Sequence, residues 1–218
     1  MRRIDKTKIL STHYKKWLVR LNRDKIKHPS QKRTYYNDVM MNLLYCQKGV
    51  CAYTEMRLCD PELLNEDNWE EGKYKSGKVD KFGSLDHFDP RLKKDKYWEW
   101  DNLFAISLDI NVKKGAKEVD EILKPDSPLY DPFKLLEYNA RTHLFVPHRD
   151  IEDRDLRERI KRMLKVLQVN HHTVSYHRKT FFNRIAWHGK VGKQPEIDRF
   201  FTAYQMAEAE KKEKNNST

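Results

Sequence analysis

Residues 84–115, SLDHFDPRLKKDKYWEWDNLFAISLDINVKKG, hold in one short span the groups that hydrolysis of a phosphodiester requires. Asp86 and His87 are adjacent on a segment that reads as extended, so their side chains leave opposite sides of the strand. One can bind a metal while the other addresses a water. Asn111 follows 24 residues after His87, near the start of a short helical stretch, and offers a neutral oxygen beside the Asp86 carboxylate. Two protein oxygens completed by water and phosphate suit Mg2+. The reaction needs a base for the water, a cation against the leaving oxygen and donors around the phosphorane. His87, the metal and Arg91 or Lys114 would supply them.

This segment resembles the ββα-metal finger of HNH nucleases. In that family an Asp-His pair lies on the first strand, an Asn-Leu pair follows the loop, and a His or Asn on the helix closes the metal site, commonly with Lys three residues later. Here Asp86-His87, Asn102-Leu103, Asn111 and Lys114 match in order. The resemblance implies that His87 is the general base, that Asp86 and Asn111 hold Mg2+ or Mn2+, and that Asn102 orients the His87 ring or steadies the loop. Many such fingers also carry two Cys-x-x-Cys pairs around a structural zinc. At the matching places this chain reads Cys51-Ala-Tyr-Thr54 and Ser107-Leu-Asp-Ile110, so three of four thiols are missing. Tetrahedral zinc needs four N or S ligands, and no structural zinc is expected. Cys51 is expected to be a small buried apolar group, and the finger to be held by Trp98, Trp100, Leu103 and Phe104.

A longer stretch is similar to PtuB-like HNH nucleases, subunits of Septu and retron-associated anti-phage systems. The similarity rests on MRRIDK at the start, Cys-x-Tyr-Thr-Glu at 51–55, Asp-His-Phe-Asp-Pro-Arg at 86–91, Trp-Asp-Asn-Leu at 100–103, the Pro-rich run at 124–133, and Leu-Gln-Val-Asn at 167–170 with Arg178. It implies an ATPase partner of the ABC/SMC type that restrains or licenses cleavage.

The elements that must position these groups are mostly helical. Leu10, Tyr14, Trp17, Leu18 and Leu21 form an apolar stripe on a helix with a Lys/Arg face, broken at His28-Pro29-Ser30. A second helix runs from about Tyr35 through Leu44, with Gly49 placed to cap it. Val50–Thr54 reads as a short strand, residues 60–81 as a polar insertion, and Gly83–Phe88 and Leu103–Ser107 as two more strands. From Ile151 to about Arg184 the pattern is helical, with Ile160, Met163, Leu164 and Leu167 as its stripe, and a polar tail follows from residue 205. The expected class is therefore α+β, mostly helical, with a small ββα finger among helices. Its segments are N-terminal basic helices at 1–49, the finger at 50–118, a helical region at 119–204 and the tail at 205–218.

Two other motifs are set aside. Gly72–Val79 resembles a phosphate-binding loop, but Val79 stands where a Ser or Thr hydroxyl must reach Mg2+. His171, His172, His177 and His188 are spaced for solvent or phosphate contact rather than for one metal, and Trp187 is read as core.

Composition sets the outer bounds. Lys and Arg number 44 against 33 Asp and Glu, a net of +11 that points to an anionic partner, with nucleic acid first. DNA is favoured, with RNA such as tRNA also admitted. The charge is uneven: residues 1–45 carry a net of +9, residues 149–193 a net of +7, and residues 51–75 a net of −4. Five Trp, 11 Tyr and 9 Phe supply anchors for a folded core. No apolar run is long enough for a membrane span or a signal peptide, and three cysteines cannot close a disulfide framework, so a cytoplasmic location is expected. The rival class is a catalytically silent subunit that binds nucleic acid or a partner protein.

Overall fold

The computed structural model describes residues 1–24, 33–75 and 83–216. It is α+β: the helices are α1 (Thr12–Arg23), α2 (Arg33–Cys46), α3 (Leu108–Lys114), α4 (Pro132–Leu135), α5 (Arg154–Val166), α6 (His172–Lys190) and α7 (Phe201–Asn216). Three small antiparallel pairs accompany them: β1 (Trp69–Glu70) with β2 (Lys73–Tyr74), β3 (Gly83–His87) with β4 (Leu103–Ser107), and β5 (Leu136–Asn139) with β6 (Leu144–Pro147). The chain divides into two compact units. One holds residues 4–52 and 57–119, and the other holds residues 1–3, 53–56 and those from Asp120 onward.

In the first unit, β4 is buried along most of its length because Leu103, Phe104, Ala105 and Ile106 are all apolar. A two-stranded ribbon has few ladder partners of its own, and here a side chain supplies more. Gln47, fully buried, donates Nε2 to the Ala105 carbonyl at 2.8 Å and accepts the Ala105 amide on Oε1 at 2.9 Å. Its carboxamide thus mimics one residue of a third strand. The Ala52 amide also reaches the Ala105 carbonyl. Val50–Thr54, expected as a strand, makes only an isolated antiparallel bridge from Val50 to Arg57, because the Val50 amide turns back to the Gln47 carbonyl and the Ala52 amide goes to Ala105. Within the expected insertion, 3₁₀ turns at Pro61–Leu64 and Glu66–Asn68 lead into the β1/β2 pair. Residues 76–81 of that insertion lie outside the described residues, as do Ser76 to Val79 of the rejected phosphate loop.

The second unit buries Tyr138, Phe145, Ile160, Met163, Leu164, Val174 and Phe181. The helical pattern expected from Ile151 to about Arg184 is carried by two helices, α5 and α6. Gln168 adopts φ 58° and turns the chain between α5 and α6, while the Asn170 carboxamide bonds both the amide (2.9 Å) and the carbonyl (2.7 Å) of Phe145. Arg178 is fully buried. Its guanidinium donates to the carbonyls of His143 and Val169 and lies 5.0 Å from the Phe145 ring centre. Burial lowers its pKa to about 10, so it stays charged at neutral pH. Glu55 is buried too, bonded to the Thr202 amide and hydroxyl and 3.2 Å from the Met1 ammonium. Burial alone would raise its carboxyl pKa, but the ammonium and the Thr202 donors outweigh that and lower it. The tail expected from residue 205 is helical as far as Asn216, and Trp187, expected in the core, is 57% exposed.

Candidate active site

Strands β3 and β4 pair with Asp86 opposite Phe104 and His87 opposite Leu103, and α3 follows β4 directly. Side chains two residues apart on a strand share a face. Ser84 and Asp86 accordingly both meet α3. The Asn111 amide donates to Ser84 Oγ at 2.8 Å and to the Leu85 carbonyl at 3.2 Å. Three residues on, Lys114 places its Nζ 3.1 Å from Asp86 Oδ1, 3.0 Å from Asp86 Oδ2 and 2.8 Å from the His87 carbonyl. Spacing of three and four puts Ile110, Asn111 and Lys114 on one flank of the helix. Gly115, at φ 56°, ends it by donating its amide to the Asn111 carbonyl.

His87 sits at the end of β3 and its ring is 5.0 Å from that of Tyr97, edge to face. Nε2 lies 2.7 Å from the Tyr97 carbonyl, an acceptor only, which fixes the neutral ring as the Nε2–H tautomer and leaves the lone pair on Nδ1. Asn102 works on the loop rather than on this ring. Its Oδ1 accepts the Asp89 amide at 2.8 Å and its Nδ2 donates to the Asp89 carbonyl at 3.0 Å, closing the mouth of the 88–102 loop. Asp89 in turn caps the 3₁₀ turn at Pro90–Lys94 and receives the Arg91 guanidinium through Nε (3.0 Å to Oδ1) and Nη2 (2.8 Å to Oδ2). Hydrogen bonding from Arg91 holds the Asp89 carboxyl below its ordinary pKa.

The expected residues therefore separate. Asp86 and Lys114 meet directly, Asn111 bonds β3 at Ser84 and Leu85, the His87 ring lies on Tyr97, Asn102 closes the loop between the strands, and Arg91 is 66% exposed with its donor edge on Asp89. Lys114 differs most from expectation. Expected to contact substrate phosphate, it is fully buried, with its ammonium held by the Asp86 carboxylate and the His87 carbonyl. Sequence reading missed Ser84, Asp89 and Tyr97. The second Asp of Asp86-His-Phe-Asp89 ahead of Pro90 was a usable signal for a capped turn, whereas Tyr97 acts through a carbonyl that its residue type does not announce.

The loop end of the β3/β4 hairpin is held by Lys6. It is buried, donates to the Trp100 (2.5 Å) and Leu103 (3.1 Å) carbonyls, and lies 4.3 Å over the Phe104 ring. Trp98, Trp100, Leu103 and Phe104 are buried as well, as is Cys51. Burial pushes the Cys46 and Cys59 thiols up to about 11, so neither is a thiolate at neutral pH.

The donors on hand fit a hard divalent cation in kind, a carboxylate and a carboxamide oxygen, with water and substrate oxygens needed to complete the number. Among the described residues no group of three or more His, Cys, Asp or Glu is placed to hold a metal. Also among them, no helix is long and apolar enough to cross a membrane. Compared with models of known protein families and with curated proteins, the chain matches none.

Proposed function

We propose that the protein is an HNH-type endonuclease, dependent on Mg2+ or Mn2+, that hydrolyses nucleic-acid phosphodiester bonds in DNA or in RNA such as tRNA. One observation supports the reading: β3 carries Asp86 and His87, the helix after its partner strand carries Asn111, which bonds β3 at Ser84 and Leu85, and the Tyr97 carbonyl anchors the His87 ring through Nε2. Asp86 and Asn111 would hold the cation, which when bound supplies positive charge against the leaving oxygen. His87 takes a proton from water at Nδ1. The resulting hydroxide bonds to phosphorus as the P–O3′ bond breaks, and the freed 3′ oxygen is protonated from solvent. Lys114 keeps the Asp86 carboxylate aimed, and Asn102 keeps the loop that carries Tyr97 closed. A place in a cytoplasmic anti-phage system beside an ABC/SMC-type ATPase rests on the resemblance alone.

Replacing His87 by Ala tests the reading on plasmid DNA and tRNA with Mg2+ or Mn2+. Loss of cleavage by about 10²- to 10⁴-fold is expected for a missing general base, and cleavage equal to that of the native chain would refute the assignment. The rival, a silent nucleic-acid-binding subunit, draws support from Lys114, whose ammonium already faces both Asp86 oxygens. Binding that survives both chelation and His87→Ala, with no cleavage under any condition, would favour it.

A further inference from the structure

Within the second unit, α5 and β6 border a groove of roughly 750 Å³. Its floor is apolar: Phe145, Pro147 and Leu164 lie buried beneath it and Val146 is 39% exposed. Its rim is cationic. Arg157, Lys161 and Lys165 recur every four residues on α5 and so share a face about 12 Å long. No acidic side chain among the described residues lines the groove.

Arg157 is positioned by neutral acceptors, donating Nη1 to the carbonyls of His148 (2.8 Å) and Ile151 (3.2 Å), which hold its charge in place without cancelling it. Lys161 pairs with Glu158 at 2.6 Å, but the two side chains are 52% and 61% exposed. Such a surface pair contributes little, so Lys161 can exchange partners. Asn170 and Gln168 spend their amides on the Phe145 main chain and the Lys165 carbonyl. His171, the remaining polar side chain of the lining, accepts the Thr173 amide on Nδ1, so positive charge above apolar surface dominates the groove.

We propose that this groove binds a single strand of nucleic acid, with its phosphates along Arg157, Lys161 and Lys165 and its bases over Val146, the exposed apolar side chain of the floor. A duplex keeps its base faces inside its own stack and would leave that floor uncovered, whereas an unpaired strand has faces to lay on it. Recognition would depend on backbone charge and little on sequence. The inference deepens the nuclease reading and rests on it for its setting, but it needs no catalysis.

The test is fluorescence anisotropy on the full chain carrying His87→Ala, without metal, using a labelled 15-nucleotide single strand and the matching duplex. The strand should bind more tightly than the duplex. Adding Lys161→Glu and Lys165→Glu should weaken strand binding at least tenfold and lower the salt slope by about 1.4, two phosphate contacts' worth. The melting temperature should hold, because both lysines are exposed. Unchanged affinity in the charge-reversed chain, equal or tighter duplex binding, or displacement of the strand by poly-glutamate at equal charge concentration would each overturn the proposal, the last in favour of an acidic protein segment. Cleavage by the chain with native His87 separates the two ideas. Strand binding lost as expected with no cleavage by any form leaves the groove standing and the nuclease reading refuted, and intact cleavage with unaltered binding does the reverse.

Discussion

Lys114 and Asp86 together decide how the cluster behaves. Both are buried, and their mutual contact is supplemented by the His87 carbonyl. A buried ion pair gives little net stability over an apolar pair of the same shape, but removing one partner strands a charge. Lys114→Met should therefore destabilise the chain by about 3–5 kcal/mol, read as a lower urea midpoint. Combining it with Asp86→Leu should recover much of that loss, since neither charge is then left alone. The sequence placed both residues near the chemistry, because residue type and spacing carry that information. It did not show Lys114 to be interior: lysine is nearly always exposed, and only the register of α3 on β3 brings its ammonium to the carboxylate.

At the scale of elements, the legible parts are those with a local signature. The α1 and α2 helices, the Gly49 stop at φ 73° and the β3/β4 strands all follow from short-range pattern, although α1 starts at Thr12, after Leu10 of its expected stripe. Two side chains that imitate strand partners had no such signature. Gln47 serves Ala105 from 58 residues away and Asn170 serves Phe145 from 25, contacts that only the folded chain creates. Removing the first should be costly: Gln47→Leu leaves the buried Ala105 amide without its side-chain acceptor, for a loss of about 1–3 kcal/mol, and faster hydrogen exchange at that amide would mark the cause. The α7 helix was hidden for the opposite reason. Its run of Glu and Lys has weak apolar periodicity, and its place is set by Ala203 and Ala207, both buried but too small to stand out in the sequence.

At the scale of the whole molecule, charge away from the candidate site also serves the second unit. Asp120 shows how part of it supports the second unit. Arg159 bonds it at 2.7 Å, Arg162 lies 3.6 Å away, and the Arg159 hydrogen bond holds its carboxyl below the ordinary aspartate pKa. A depressed carboxyl contributes stability above the unfolded-state value, about 3.9. That contribution is lost as pH falls through the lower folded value. Acidification from about pH 5 should thus lower the melting temperature, and Asp120→Asn should flatten part of the decline. The path of the chain adds a consequence of timing. Residues 53–56 belong to the second unit although residues of the first flank them on both sides, and Glu55 reaches Thr202 across 147 positions. A ribosome adding about 5–20 residues each second needs roughly seven to thirty seconds to cover that distance. For that interval the nascent chain carries Glu55 without Thr202, so premature arrest anywhere before α7 yields a product whose second unit cannot close.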